Sequence, residues 1–386
     1  MSLNLFGQTL DRAQLRRRLA SISTVCGVRL MTFADGPERG VRVLEFRTGG
    51  GLRFTVLVDR GMDVGDLDWC GVPLAWQSAT GYRASSLNDS ESEGGLGLMR
   101  SFTGFMLTCG FDHARRPDRE SSAHYGSPMR SEILHPLHGR GALTPARLVG
   151  YGADWTPDGD LVLWCEGEVR QAFLYSEHYV LRRRIEVMAG SSRFTVSDRL
   201  VNEASMPAPH MLLYHLNLGW PLLDDGSEFL APVSETVWSS VSRETQPIGC
   251  WRQEGPQPGG GQQVFVHRAV PDEAGLVNTA LVNRRLGLGV RIGWPKSQLP
   301  WLQEWQCLAE GTYAFGIEPV TNRFGTRSEL MEQGEIAWMQ PGEERRYDLA
   351  VDVLQGDAAI ECCETAIRTL APVQPERPQR TGTRHP

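Results

Sequence analysis

The chain has no CxxC pair among its eight cysteines, no run of basic residues dominating its charge, and no long apolar stretch. Each absence removes a class of protein. Scattered cysteines without metal-ligand spacing argue against a zinc ribbon or a small disulfide-stapled secreted domain and favour a reduced, cytoplasmic setting. A net charge of -7 supplies no positive field for nucleic acid or an anionic membrane. No window approaches the roughly 20 apolar residues that span a bilayer, and the opening "MSLNLFGQTLDRAQLRRRLA" lacks an apolar core of signal-peptide length. Neither a phosphate-binding P-loop, nor a dinucleotide-binding glycine fingerprint, nor a nucleophile elbow is present. What remains is a chain of 386 residues, 41% hydrophobic, long enough to bury a large core around a small-molecule site.

Between about residue 40 and residue 355 the hydrophobic pattern has period two. "LRFTVLVD" places Leu52, Phe54, Val56 and Val58 on one face, and "YVLRRRIEV" sets Tyr179, Leu181, Ile185 and Val187 against Arg182, Arg184 and Glu186. "LGLGVRIGW" (286 to 294) and "YDLAVDVL" (347 to 354) alternate in the same way. Such segments are half-buried strands of antiparallel sheets, and the 42 glycines and 23 prolines supply the turns between them. The reading is an all-β domain over 40–355, preceded by a helical or extended segment over 1–39 and followed over 356–386 by a helix, "DAAIECCETAIRTLA", and a disordered tail. "RQEGPQPGGGQQ" (252 to 263) reads as a long surface loop rather than a linker.

Three segments hold residues suited to chemistry. In "PAPHMLLYHLNLGWP", His210 and His215 lie five apart, so in an extended strand they point to opposite faces; His215 shares its face with Leu213 and Asn217. A buried imidazole is either satisfied by core hydrogen bonds or faces a ligand. "HPLHGRGALTPA" carries His135, His138 and Arg140 in a glycine-rich turn. "YAFGIEPVTNRFG" ends an apolar run on Glu318, where desolvation would raise the carboxyl pKa toward that of a general base.

In this order the segments resemble the galactose mutarotase (aldose 1-epimerase) superfamily. "PLHGRGALTPA" is similar to its sugar-binding turn, "VNEASMPAPHMLLYHLNLGWP" to the strand of its catalytic histidine, "FGIEPVTNRFG" to the turn of its catalytic glutamate, and "MQPGEERRYDLAVDV" to its final strand. The resemblance implies a β-supersandwich of large antiparallel sheets with short terminal helices, and a cytoplasmic isomerase of carbohydrate metabolism. Its catalytic pair would be His215 and Glu318. His138, Arg140, His210, Asn217 and Arg100 would bind sugar hydroxyls, and Trp305 or Trp220 would stack on the ring. No equivalent of the family's substrate-binding aspartate is plain, with Asp224 or Asp225 the nearest, and "LVDRGMDVGDLDWCGVPLAW" is not a feature of the well-studied mutarotases.

The implied chemistry needs no cofactor: a carboxylate takes the proton of the anomeric hydroxyl and an imidazolium protonates the ring oxygen. Two alternatives stay open. His138, His210, His215 and Glu168 would be the ligands of a divalent metal in a keto-sugar epimerase or isomerase, or the protein would be a silent carbohydrate-binding or regulatory module. Arg60, Arg100 and Arg140 suggest either an anionic substituent on the sugar or structural ion pairs. The expected partner is a small carbohydrate, not nucleic acid or membrane, and a homo-oligomer is compatible with the sequence.

Overall fold

Alternating strands that each bury one face need a second layer to cover them, and the chain meets that need with large sheets packed face to face. The computed structural model describes residues 3–125, 129–241 and 250–371; the tail expected over 372–386 lies outside them. Every pairing between its strands is antiparallel. An eight-stranded sheet runs in the order Ala146–Trp155, Leu161–Ala172, His178–Met188, Arg193–Asn202, Glu344–Gln355, Leu288–Pro295, Leu276–Asn283, Glu228–Leu230. A seven-stranded sheet carries the two segments of greatest chemical interest as neighbours: the histidine strand Ala208–Leu218 and the glutamate strand Ala314–Val320. On its other side the histidine strand pairs with Met106–Phe111, and the glutamate strand pairs with Trp301–Cys307.

A five-stranded sheet covers part of the eight-stranded one, and Phe46, Phe54 and Phe194 stack where they meet. Its first strand, Gly27–Thr32, is hydrogen-bonded to Arg42–Arg47, so this sheet extends across residue 40. The helical composition near the N-terminus yields only the short helix Arg12–Arg16, capped by Asp11. The C-terminal helix Asp357–Leu370 lays Ile360, Cys363 and Ile367 on the eight-stranded sheet. Among the described residues no helix is long and apolar enough to cross a membrane.

All residues of the histidine strand are buried, so both of its faces are covered. Alternation sends Tyr214, Leu212 and His210 to one side and His215, Leu213 and Asn217 to the other. Its register with the glutamate strand, Leu213 against Val320 and Leu216 against Ile317, sets His215 across from Glu318.

Candidate active site

Residues directly opposite on an antiparallel pair have Cβ atoms about 5 Å apart, within reach of a long side chain and a ring. His215 and Glu318 use that geometry: Nε2 and Oε1 are 3.0 Å apart, and each residue is only 4% exposed. Gly316, on the same face of the glutamate strand, makes room for the imidazole. A Cβ there would come within 2.9 Å of His215 Cε1 and 3.2 Å of the Trp305 ring. Aromatic rings close the surroundings. Phe102 meets the His215 ring edge-on at 4.9 Å and Trp305 at 5.4 Å, and Trp76 packs against both Phe102 and Trp305.

This apolar wall sets the protonation of the pair. Burial pushes the Glu318 carboxyl up to about 8, against a smaller downward pull from the Arg115 guanidinium. Burial drives the His215 imidazole well below its ordinary range, the neighbouring His138 ring adds to that shift, and Asn217 pulls modestly the other way. Near neutral pH these shifts leave one proton on the pair, on the Glu318 carboxyl, 3.0 Å from a neutral imidazole.

His138 stands perpendicular to His215 with ring centres 5.7 Å apart. Its backbone is left-handed (φ 58°) and is followed by Gly139 (φ 74°), where a Cβ would collide with the carbonyl oxygens of Gly110 and His113 at 2.4 and 2.5 Å. The glycine lets the turn lie flat on the strand Met106–Phe111, presenting His138 to the site. Burial, helped by His113 and Arg115, lowers the His138 pKa to about 3, so this ring is neutral.

Arg115 enters by another route. Its backbone carbonyl accepts from the His138 amide at 2.7 Å, and its Nη2 donates to the carbonyls of Asn322 and Arg323, just beyond the glutamate strand. Among the described residues its Nε and Nη1 are buried without partners. So are His138 Nδ1, His215 Nδ1, Asn217 Oδ1 and Gln303 Nε2, the last from the residue paired with Glu318 on its other side. Buried polar atoms are normally satisfied, so a group of orphans around one acid–base pair marks a place where a polar ligand or water completes the bonding.

The expected site residues divide sharply. His138, His215, Asn217, Trp305 and Glu318 come together. His210 does not: Nδ1 bonds the Phe111 carbonyl at 2.9 Å, Nε2 meets the Tyr347 hydroxyl at 2.5 Å, and burial lowers its pKa to about 4, the satisfied-core alternative for this residue. Arg100 is exposed and paired with Glu93, and Arg140 is held by Glu91 at 2.6 Å and by the Leu134 carbonyl. Arg60 donates to the Ser101 carbonyl. Glu168 pairs with Arg170 at 2.9 Å on the eight-stranded sheet, so it and His210 stand apart from His138 and His215 as metal ligands. Among the described residues no group of three or more His, Cys, Asp or Glu side chains is arranged to hold a metal ion. Arg115, Phe102, Gln303 and Gly316 were not anticipated. Phe102 lies two positions from the arginine singled out in "MRSFTGF", whereas "HARRPD" around Arg115 has no local pattern to mark it.

Similar structures carry the same architecture. A candidate aldose 1-epimerase from Klebsiella pneumoniae superimposes with a TM-score of 0.80 at 24% identity, covering 89% of this chain and 87% of that one. A galactose mutarotase-like protein from Clostridium acetobutylicum gives a TM-score of 0.56 at 12% identity, over 86% and 99%. The fold is thus the galactose mutarotase-like supersandwich. No curated protein matches the sequence. Residues 38–353 match the family described as a domain of unknown function, DUF4432, and the chain belongs to that family.

Proposed function

We propose that the protein is a carbohydrate-active acid–base catalyst that interconverts the anomers of a sugar. The reading rests on one observation: a carboxyl and an imidazole stand 3.0 Å apart, enclosed by aromatic rings, amid polar atoms that lack partners. Anomer exchange needs that inventory. A sugar entering the site inserts its C1 hydroxyl and ring oxygen between the two groups, replacing their mutual hydrogen bond. Burial leaves the resting proton on Glu318; once it has passed across the contact to His215 Nε2, the Glu318 carboxylate accepts the proton of the C1 hydroxyl while Nε2–H gives its own to the ring oxygen. The ring bond breaks, the C1 carbonyl forms, and the shared count of one proton is conserved. After rotation about C1–C2 the transfers run backward and close the other anomer.

Arg115 favours the ionised carboxylate that begins the cycle, and its free nitrogens, with His138, Asn217 and Gln303, are donors and acceptors for the remaining hydroxyls. Trp305 and Phe102 offer apolar surface to the C–H face of the ring. The substrate is a small carbohydrate and no step requires a cofactor.

Polarimetry or anomeric NMR across hexoses, pentoses, deoxysugars and acidic sugars tests the reading. Glu318→Gln and His215→Ala should each slow the best substrate by about a hundred- to ten-thousand-fold with the fold retained by circular dichroism. An unchanged rate in both variants would discard the assignment.

A further inference from the structure

A groove adjoins the acid–base pair. The histidine strand does not end at the catalytic pair: Leu218 bridges to Ala75, and the Gly219 amide donates to the Leu74 carbonyl. Gly219 lies so close to Trp76 that a Cβ there would stand 3.0 Å from the tryptophan Cα. The next residue, Trp220, is 65% exposed. Tryptophan is usually among the more covered side chains, and a large exposed ring on the lip of a groove is the kind of apolar surface that marks binding.

The groove has a volume of about 750 Å³, and Trp220 and Trp76 line it together with Arg53, Asp66, Asp68 and Gln77. Its polar groups are held in place. Asp66 accepts from Thr55 at 2.8 Å, from the Tyr82 hydroxyl at 2.9 Å and from Gln77, and Arg53 is paired with Glu45 at 2.6 Å. A flat exposed ring beside fixed carboxylates, an amide and a guanidinium suits a pyranose, which offers C–H bonds on one face and hydroxyls around its edge.

Position links the groove to the acid–base pair. Trp76 forms its wall, and Trp76 touches Trp305 and Phe102, the rings that touch His215. From His215 to Trp220 the chain advances five residues, a span of at most about 16 Å at a strand's rise of about 3.3 Å per residue, since the strand ends at Leu218. We infer that the groove lined by Trp220 and Trp76 is a saccharide subsite, which binds a further sugar unit of a short oligosaccharide whose reducing end reaches His215 and Glu318. This rests on the anomer-exchange reading for the identity of the first site; the groove's own binding is measurable without turnover.

The test is isothermal titration calorimetry of the whole protein with glucose, maltose, maltotriose, cellobiose, cellotriose, galactose and lactose. At least one oligosaccharide should bind about tenfold more tightly than its reducing-end monosaccharide, the size of gain that one aromatic platform supplies. That gain should vanish in Trp220→Ala, survive in part in Trp220→Phe, and persist in Glu318→Gln. If no oligosaccharide outbinds its monosaccharide, or the gain survives in Trp220→Ala, the subsite does not exist. If the gain behaves as expected but polarimetry detects no anomer exchange, the subsite stands and the catalytic reading falls.

Discussion

Tyr214 and His215 are consecutive residues of one strand, yet they face two buried polar clusters of opposite character. Tyr214 donates to Asp198 at 2.6 Å within a cluster built on Arg183. There Arg183 bonds both oxygens of Asp198 at 2.8 and 2.6 Å, Asp63 at 2.6 Å and the Thr108 hydroxyl at 2.6 Å, while the Thr108 amide caps Asp63 at 2.8 Å. Arg183 is left with no orphaned nitrogen. On the other face His215 and Glu318 have each other, and the atoms around them have open valences. A saturated cluster rigidifies the core and can accept nothing; an unsaturated one costs stability and keeps its bonding capacity for a ligand. Between these two clusters the difference lies in the unfilled bonds, since burial is the same in both.

The largest effects should come from breaking each cluster at its centre. Asp198→Ala strips the buried Arg183 of two hydrogen bonds and Tyr214 of its acceptor, leaving Asp63 as the one remaining counter-charge, and should destabilise the fold by about 3–5 kcal/mol, read from denaturant unfolding, with loss of activity only through loss of folded protein. Glu318→Gln should have the reverse signature, with activity lost and stability kept or, at alkaline pH, raised. A well-folded Asp198→Ala protein with impaired catalysis would erase the division.

The next effect is a pH dependence of stability. The folded Glu318 carboxyl, raised to about 8 by burial, keeps a proton that the unfolded chain releases near 4.5. The folded state binds more protons over that interval, so this group's contribution to stability falls as pH rises from about 4.5 to about 8 and stays low above. Glu318→Gln carries no such liability. Its melting temperature should exceed that of the wild type at pH 8 to 9 and converge with it at pH 5. His215 acts at the other end: neutral when folded, it leaves the unfolded chain to bind the extra proton below about 6.5, which erodes stability as the pH drops.

A smaller shift sharpens the role of Arg115. The pair loses its one proton near the Glu318 pKa, so the rate of anomer exchange should decline above about pH 8. Removing the guanidinium removes a downward pull on that pKa. Arg115→Gln should move the alkaline limb to higher pH, whatever it does to the maximal rate. An unmoved limb would place Arg115 among the scaffold residues, as an anchor for the Asn322 and Arg323 carbonyls alone.

How far the sequence exposes this division depends on the range of the interaction. Period-two alternation locates the strands and separates the faces of His210 and His215, because both are local properties of an extended chain. The same alternation places Arg183 on the apolar face with Leu181 and Ile185, though Arg182 and Arg184 on either side disguise it; its partners, Asp63 and Asp198, come from two other strands. The proximity of His215 and Glu318 is a matter of strand register, which no local pattern fixes. The motif resemblance points to the two residues, and the fold supplies their distance. Arg115 is less legible still: it reaches the site from a loop through backbone carbonyls some two hundred positions away, and carbonyls carry no side-chain signature.

The smallest effect concerns His210, and it tests whether satisfaction of hydrogen bonds is the right criterion. Its ring is as buried as that of His215 and lies on the same strand, but both nitrogens are engaged: Nδ1–H donates to the Phe111 carbonyl and Nε2 accepts from the Tyr347 hydroxyl. A neutral ring with two partners is a core residue in all but composition. Replacing it with Gln leaves one or both partners imperfectly bonded and should cost about 1–3 kcal/mol of stability, while the rate of anomer exchange per folded molecule and its alkaline limb stay where they are. If His210→Gln instead lowers the rate without lowering the melting temperature, a satisfied imidazole on the far face of the strand is steering His215 through the sheet, and open bonding capacity no longer suffices to tell the two faces apart.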